Sequence, residues 1–515
     1  MSRGVMSHRA VPHLAVTRRD PTALIDNLAL DEGSAEPLMR QLYRALRDLI
    51  LSGSLKSGAK LPSTRTLARH LKVARTTIIS AFELLAAEGF IDGAAGSGTY
   101  VAETLVPEAQ AMQRGKAVVK PGAPPRLSAR GRALGTFERE SALSEANIFA
   151  PTLPALDAFP FDEWRRLLAR ACRREGRNLL DAGDPRGWPQ LRQAIAGYLG
   201  PARGVVCDPA QIIVLSSARQ AGQLAARLLA DDGDFAWVEE PGYPEVDAAL
   251  LSAGLRLALI PVDGEGIDTR AGQSIAPHAR LASVTPSHHY PLGATMTLAR
   301  RLELLEWASH AGAVIIEDDY DGEFRYGGKP LTALYGLDGG ERVIYVGTFS
   351  KVMFRSLRLA YMVCPAHLVD VFAAARRQID GHAVAITQAA LAEFMESGGF
   401  AAHIRRMRAL YKDRQDTLVA LAQRHLEGAL VLRPSNAGLH LVGHLQHGVS
   451  DESVAAALPH DRVSPGVLSR YYRTKPAPSG LILGYAAWDE PALREGVIAL
   501  ARAIEITRRR VDRRR

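Results

Sequence analysis

The sequence predicts a multidomain chain: a small winged helix-turn-helix, helical with a short β wing, then a large α/β domain and a smaller α+β subdomain. Three observations carry this expectation. The 515 residues exceed what one ordinary core holds. Two helical segments around a tight turn, followed by a glycine-rich hairpin, occupy residues 63–102. Beyond Phe149, short apolar runs alternate with helical segments, the pattern of a mostly parallel sheet covered on both faces.

Composition excludes several classes. With 47% hydrophobic and 23% charged residues the chain is globular rather than disordered or fibrous. No stretch approaches the roughly 18 consecutive apolar residues of a membrane span, and Met1–Asp20 lacks the apolar core of a signal peptide. A cytoplasmic protein with no membrane partner is expected. Cys172, Cys207 and Cys364 are odd in number and far apart, so they read as reduced and structural, and no metal site is expected. The formal charge of +8 owes much to the tail Arg508–Arg515, but Arg40–Lys72 holds eight Lys/Arg against Asp48 alone. A basic N-terminal module is implied.

In order along the chain, residues 1–36 show no periodicity and read as a mobile leader. Leu38, Leu42, Leu46, Leu49 and Ile50 recur at helical spacing until Gly53. Ser63 reads as the N-cap of a short helix carrying Leu67 and Leu71, and a longer helix carries Ile78, Ile79, Phe82 and Leu85 to Gly89. The wing comes next as Phe90–Ile91 and Thr99–Val101 around a Gly-rich turn, closing a domain at 37–102. The Pro-rich stretch 103–145 reads as a linker. A domain at 146–507 is expected beyond it, its large part at about 205–380 with strands at Ile212–Leu215, Phe235–Val238, Leu281–Val284, Val314–Ile316 and Val343–Val346. Its small part, about 385–507, has helices at 400–425 and 490–507, and a basic tail fills 508–515.

A helix that reads the major groove presents donors from its first turn and keeps an apolar rear face. Arg75, Thr76 and Thr77 occupy that turn, and Arg65 with the Gly98–Thr99 wing are placed to reach flanking phosphates. In the large domain two strand ends carry chemistry. One delivers Glu317, Asp318, Asp319 and Tyr320; the other delivers Thr348, Ser350 and Lys351, at the edge where open α/β sheets bind ligands. A lysine that condenses with an aldehyde cofactor must be partly deprotonated, and pyridoxal 5'-phosphate (PLP) needs a carboxylate for its ring nitrogen. Lys351 and Asp318 fit those roles, Tyr320 suits the ring's phenolate oxygen, and Thr348, Ser350 and Arg358 suit the phosphate. Ser217 opens a helix whose N-terminus favours the same group. An acidic cluster at a strand end equally suits magnesium, and a lone turn lysine is commonly just solvated.

Residues 37–102, through LILSGSLKSGAKLPSTRTLARHLKVARTTIISAFELLAAEGFIDGAAGSGTYV, resemble the GntR-type winged helix. That resemblance implies DNA contacts by Arg65, Arg75, Thr76, Thr77 and the wing at Gly98 and Thr99; Ala74 stands where the family commonly has a capping serine. Through GDPRGWPQLRQAIAGYL, EEPGYP, TPSHHYPLGATM, EDDYDGEFRY, GTFSK and SLRLAYMV, residues 37–507 as a whole resemble the MocR/PdxR regulators, in which a GntR-type winged helix precedes a PLP-dependent fold-type I aminotransferase-like domain. The resemblance implies that Lys351 is the Schiff-base lysine, Asp318 and Tyr320 bind the ring, Tyr243 stacks on it and Arg358 binds phosphate. Ser217, Ala218 and Arg219 stand at the phosphate loop, with Ala218 where the family has glycine and Arg219 adding a cation. Arg355 stands where the family often has proline, so a further cation on the phosphate side is one expectation.

The resemblance also implies a head-to-tail homodimer on double-stranded DNA with repeated half-sites, and an effector that is PLP itself or an amine or amino acid condensing with it. Control of vitamin B6 or of amine and amino-acid metabolism would result. Ile482 stands where aminotransferases place the arginine that pairs with a substrate carboxylate, so sensing is expected, with at most a residual transaminase half-reaction. The alternative is a working aminotransferase with an accessory DNA-binding domain. His288 and His289 are expected to line the site rather than bind metal.

Overall fold

The computed structural model describes residues 28, 30, 31, 33–94, 98–102, 126–132, 135, 147–327 and 332–512. Two compact units divide the chain, Met1–Arg126 and Leu127–Arg515.

In the first unit, α1 (Leu38–Leu51) starts after Pro37 and buries Gln41, Leu42, Leu46 and Ile50 along one face. Strand β1 (Lys60–Leu61) leads to α2 (Thr64–His70), whose N-cap Ser63 accepts the Thr66 N–H at 3.2 Å. Helix α3 (Arg75–Ala87) starts after Ala74, which has no side chain able to cap, and buries Ile78, Ala81, Phe82 and Leu85. The wing is β2 (Ile91–Ala94) and β3 (Gly98–Val101), and β3 sits between β1 and β2 in an antiparallel sheet. One apolar cluster, including Leu42, Leu46, Leu67, Ile78, Phe82, Ile91 and Val101, joins the three helices to the wing.

The leader expected at 1–36 needs correction at its end, and its first 27 residues lie outside the described residues. Leu28 and Leu30 pack on the same cluster. Gln41 fixes the segment by accepting the Asp31 N–H at 2.9 Å and donating to the carbonyls of Asp31 and Glu36. The short run lacks a period, so only the tertiary contact reveals its place.

The second unit begins inside the segment read as a linker, most of which lies outside the described residues. Residues 129–132 are helical and Arg130 pairs with Asp232, so this part belongs to the large unit. Helices α4 (Phe161–Glu175) and α5 (Pro189–Arg203) precede β4 (Ile212–Leu215) and α6 (Ala218–Leu229). Then come β5 (Phe235–Glu240), α7 (Pro244–Ser252), β6 (Arg256–Asp263), β7 (Gly266–Ile267), α8 (Thr269–Ile275), β8 (Leu281–Val284), α9 (Leu298–Ala311) and β9 (Val314–Asp319). The large part closes with α10 (Leu334–Asp338), β10 (Val343–Thr348), β11 (Ala360–Val363) and α11 (Val369–Ile379).

Its sheet runs β4-β11-β10-β9-β8-β5-β6-β7. Pairings from β10 through β6 are parallel, whereas β11 runs antiparallel between β10 and β4. The five expected strands are present, three of them extended at their C-terminal ends; β6, β7 and β11 are additions to that expectation. In β6 alternate residues reach the surface, so its apolar run is broken, and AYMV of β11 is only four residues long.

The small part packs α12 (Ala385–Glu396) and α13 (Gly399–His425) beside an antiparallel sheet of order β12-β13-β15-β14, from β12 (Leu430–Leu432), β13 (His440–Leu445), β14 (Gly466–Val467) and β15 (Gly480–Gly484). Helix α14 (Asp451–Ala456) precedes β14, and α15 (Glu490–Asp512) ends the described residues. Part of the expected basic tail is therefore helical. Arg508 and Arg509 pair with Glu505 at 3.1 and 2.8 Å, contacts that helical spacing of three and four residues permits.

Candidate functional site

Strand direction builds the pocket. Parallel β9 and β10 align Asp318 with Val346 and Asp319 with Gly347, so both strands end at one edge of the sheet. Strand β4 ends there too, because its Leu215 pairs with Ala360 of β11, which also pairs with Thr348 of β10. Antiparallel β11 thus starts where its neighbours finish, and Arg358, two residues before it, arrives at the same edge. Arg358 holds a left-handed φ of 52°, a conformation that costs a non-glycine residue about 1–2 kcal/mol. The loop leading into β11 must turn sharply to deliver that guanidinium.

One pocket results, and all ten residues expected to bind the cofactor line it: Lys351, Asp318, Tyr320, Tyr243 and Arg358, with Thr348, Ser350, Ser217, Ala218 and Arg219. The pleat sorts the acidic run, since successive side chains of a strand face opposite ways. Asp318 faces the pocket. Glu317 faces away and accepts the Leu334 and Tyr335 N–H groups at the start of α10, at 2.9 and 3.0 Å. Asp319 pairs with buried Arg203 and accepts the Tyr345 hydroxyl at 2.6 Å. The acidic cluster is thereby dispersed, and no group of metal-ligating side chains forms among the described residues.

Asp318 is buried, and its Oδ1 has no hydrogen-bond partner. Burial, with neighbouring Asp319, pushes its carboxyl up to about 7. Lys351 is pulled down to about 8, by burial first and by the Arg355 guanidinium second. Its Nζ donates to Thr152 Oγ1 at 2.8 Å and to the Thr152 carbonyl at 3.1 Å. Thr152 itself has φ 60°, and it precedes Lys351 by 199 residues. Thr152 is not among the residues the sequence singles out, and neither are the further wall residues Glu245, Thr285 and Tyr290; Arg355 lines the pocket as well. Long-range convergence leaves no local signal, although a threonine just after Pro151 at the head of the domain is a place to look.

Tyr320 is held from behind. His288 Nδ1 lies 3.0 Å from its hydroxyl and 2.9 Å from Asp321 Oδ2. His288 therefore supports the wall instead of lining this pocket, and His289 is buried on the Pro241 carbonyl at 3.1 Å, where burial drives it down to about 3. The expectation that both line the site is corrected: the turn before Gly293 places them one layer back. Tyr243 sits at the start of α7 with its ring edge-to-face with Tyr290, centroids 5.4 Å apart. At the other end, Ser217 is the N-cap of α6 and makes no side-chain cap bond, and Ser217, Ala218 and Arg219, at the helix start where N–H groups lack intrahelical partners, line the pocket. The Arg219 guanidinium pairs with Glu245, which offsets its charge. Ile482 is fully buried on β15, paired with Val442 and Gly466, and does not line the pocket.

In the first unit Arg65, Arg75 and Thr76 are exposed on the first turns of α2 and α3, and Thr77 is half-buried. Arg75 Nε lies 3.4 Å from Thr64 Oγ1, which ties the two helices at that face. Gly98 has φ 112°, and a Cβ there would meet Lys60 Cε at 2.7 Å. Thr99 is half-buried beside it, while the wing tip at 95–97 lies outside the described residues. Cys172, Cys207 and Cys364 are all free. No helix of the described residues is long and apolar enough to cross a membrane.

Comparison with known proteins agrees with both halves. Residues 38–101 match the family "Bacterial regulatory proteins, gntR family", and residues 152–463 match "Aminotransferase class I and II". The chain is 41% identical to the probable rhizopine catabolism regulatory protein MocR of Rhizobium meliloti, over 92% of this chain and 95% of that protein. It is 31% identical to the pyridoxine biosynthesis transcriptional regulator PdxR of Corynebacterium glutamicum, over 93% and 98%. Among solved structures it resembles the α-aminoadipate aminotransferase LysN of Thermus thermophilus, with a TM-score of 0.66, 26% identity, and coverage of 74% of this chain and all of that one. The chain belongs to the MocR/PdxR family of HTH-type transcriptional regulators, in which a GntR helix-turn-helix domain is joined to an aminotransferase class I and II domain.

Proposed function

We propose that the protein is a DNA-binding transcriptional regulator whose large domain binds PLP and senses PLP, or an amine or amino acid that reacts with it. One observation carries the cofactor reading: a buried carboxylate oxygen without a partner, Asp318 Oδ1, lies in the wall of the same pocket as a lysine whose amine is pulled down to about 8. An unpaired buried acceptor costs free energy unless a donor arrives, and a protonated ring nitrogen is such a donor. The residues fit the group at its other end too, with hydroxyls of Thr348 and Ser350, the Arg358 guanidinium and the start of α6 at the same pocket.

PLP would supply an aldehyde for covalent attachment and an electron-withdrawing ring. Lys351 would provide the amine for that attachment, which burial and Arg355 keep partly unprotonated. Asp318 would hold a proton at the ring nitrogen, Tyr320 would donate to the ring oxygen with His288 and Asp321 fixing its hydroxyl, and Tyr243 would lie against the ring. Ile482 offers no guanidinium for a substrate carboxylate, which supports sensing over steady turnover as an aminotransferase.

In the first unit, Arg65, Arg75, Thr76, Thr77, Gly98 and Thr99 form the face toward double-stranded DNA. A head-to-tail homodimer would present two such faces to repeated half-sites, and effector binding would shift the dimer between forms that fit or miss them. The test is a titration of the purified protein with PLP. A visible absorption band should develop in the wild type and be missing in Lys351→Ala, and affinity for DNA from the protein's own upstream region should change when PLP is added. An unchanged band in Lys351→Ala refutes the cofactor assignment; identical DNA affinity with and without PLP or amines refutes the sensing role.

A further inference from the structure

Resting on the cofactor reading above, we infer that Arg355 is the specificity-determining residue of an effector subsite, and that the effector is a primary amine carrying an anionic group. The cofactor pocket opens into a second, outer chamber. The two share Thr152, Tyr243, Glu245, Tyr290, Lys351 and Arg355, so these side chains form the passage between them. An effector amine that reaches Lys351 from the outer chamber passes Arg355.

Among the arginines of the chamber and its passage, the pairing of charges singles out that residue. The Arg470 guanidinium is bound in bidentate fashion to Glu452, at 3.0 and 2.8 Å. Across the passage, Arg219 is held by Glu245. Tyr290 and Tyr471 satisfy one another through their hydroxyls at 2.9 Å. Arg355 is exposed, and its guanidinium makes no ion pair or hydrogen bond among the described residues. It starts a short turn, Arg355–Leu357, four residues after Lys351. An uncommitted guanidinium in a walled passage recognises a planar or tetrahedral oxyanion by paired donors. At Arg470 and Arg219 a carboxylate already offsets the charge, which weakens their pull on a further anion.

Arg358 lines only the inner pocket and suffices as the guanidinium of the cofactor end, which frees Arg355 for the second partner. The subsite also differs from a buried arginine at position 482. Ile482 lies within the small sheet, whereas Arg355 stands at the passage, so the anion is read from the opposite part of the domain.

The experiment follows the absorption spectrum of the PLP-loaded full chain during titration with amines of matched length. These are β-alanine, 2-aminoethanesulfonate and O-phosphoethanolamine against propylamine and ethanolamine. At least one acid-bearing amine is expected to half-saturate the wild type at a concentration about tenfold or more below its uncharged counterparts, the worth of a charge-assisted contact; which acid wins names the anion. In Arg355→Ala that ratio should collapse toward one, and Arg355→Lys should restore part of it. The inference is overturned if the ratio survives in Arg355→Ala, or if the wild type responds equally to all five amines. It is also overturned if Arg355→Ala weakens PLP loading while leaving the ratio intact, which would place Arg355 at the cofactor phosphate. A wild type that takes up no PLP at all defeats the cofactor reading itself, a distinct result from a loaded protein that ignores the anion.

Discussion

Replacing Asp318 by asparagine should stabilise the cofactor-free protein and weaken its hold on PLP, two effects of opposite sign from one side chain. In the free protein the Asp318 carboxyl is raised from 3.8 to about 7. A group raised on folding contributes stability that is fully present below its unfolded pKa and is lost as pH rises through its folded one. The loss here therefore runs from about pH 4 to about pH 7. Each pH unit is worth about 1.4 kcal/mol, so the ionised carboxylate costs the unliganded fold on the order of 4 kcal/mol above neutrality.

The amide introduced by Asp318→Asn has no charge to desolvate and should recover a good part of that cost, with one orphaned acceptor remaining. With PLP bound, the charge becomes useful. A charge-assisted hydrogen bond contributes about 1.5–3 kcal/mol, so Asp318→Asn should raise the Kd for PLP by roughly 10- to 150-fold. The assay is thermal unfolding of the cofactor-free protein at pH 5 and pH 8, paired with spectroscopic PLP titration. The mutant should gain Tm at both, roughly threefold more at pH 8 than at pH 5, where only about one of the three pH units of cost has accrued. A Tm gain that is equal at both pH values, or a PLP affinity that does not fall, would show that the carboxylate is not the ring partner and that its burial is not the origin of the shift.

Four further outcomes are expected. Covalent loading of PLP should accelerate with pH up to an inflection near 8, where Lys351 loses its proton, and stopped-flow spectra across pH 6–9 would show it; a flat profile contradicts the depressed amine. Thr152→Ala removes the hydroxyl that accepts from the Lys351 ammonium, so the same inflection should move downward, and an upward shift would argue against that bond. Ser63→Ala should cost the N-terminal unit about 1 kcal/mol by uncapping α2, measurable by chemical unfolding, whereas Ala74→Ser at the uncapped start of α3 should stabilise it by a similar amount. Arg75→Ala should weaken DNA binding by about 1–3 kcal/mol in a gel-shift titration, with a shallower salt dependence if its partner is a phosphate; unchanged affinity removes it from the interface.

Much of this molecule is legible in its sequence. Lys351, Asp318, Tyr320, Thr348 and Ser350 stand at or just beyond the ends of apolar runs, and a strand that enters a sheet in a fixed direction must deliver its succeeding residues to one edge. The winged helix is similarly local: Ser63, the apolar positions of α2 and α3 and the glycines of the wing each act within a few residues of themselves. Chain order alone does not reveal direction and distance. Strand β11 reads as four apolar residues, and only its antiparallel seat between β10 and β4 brings Arg358 to the edge where those strands end at Thr348 and Leu215.

The pleat decided that Asp318, and not Glu317 or Asp319, faces the pocket. Packing decided that Arg219 commits its charge to Glu245, that His288 braces Tyr320, and that Leu28 and Leu30 belong to a core. Thr152 shows the division most clearly. Its left-handed backbone and its grip on a lysine 199 residues away arise from how the head of the domain crosses the small sheet, where Ile148 pairs with Val463 and Phe149 with Gly484. Local chemistry thus determined which groups the protein carries. The tertiary fold decided which of them meet, because contacts between distant segments are set by the whole packed core rather than by any stretch of chain.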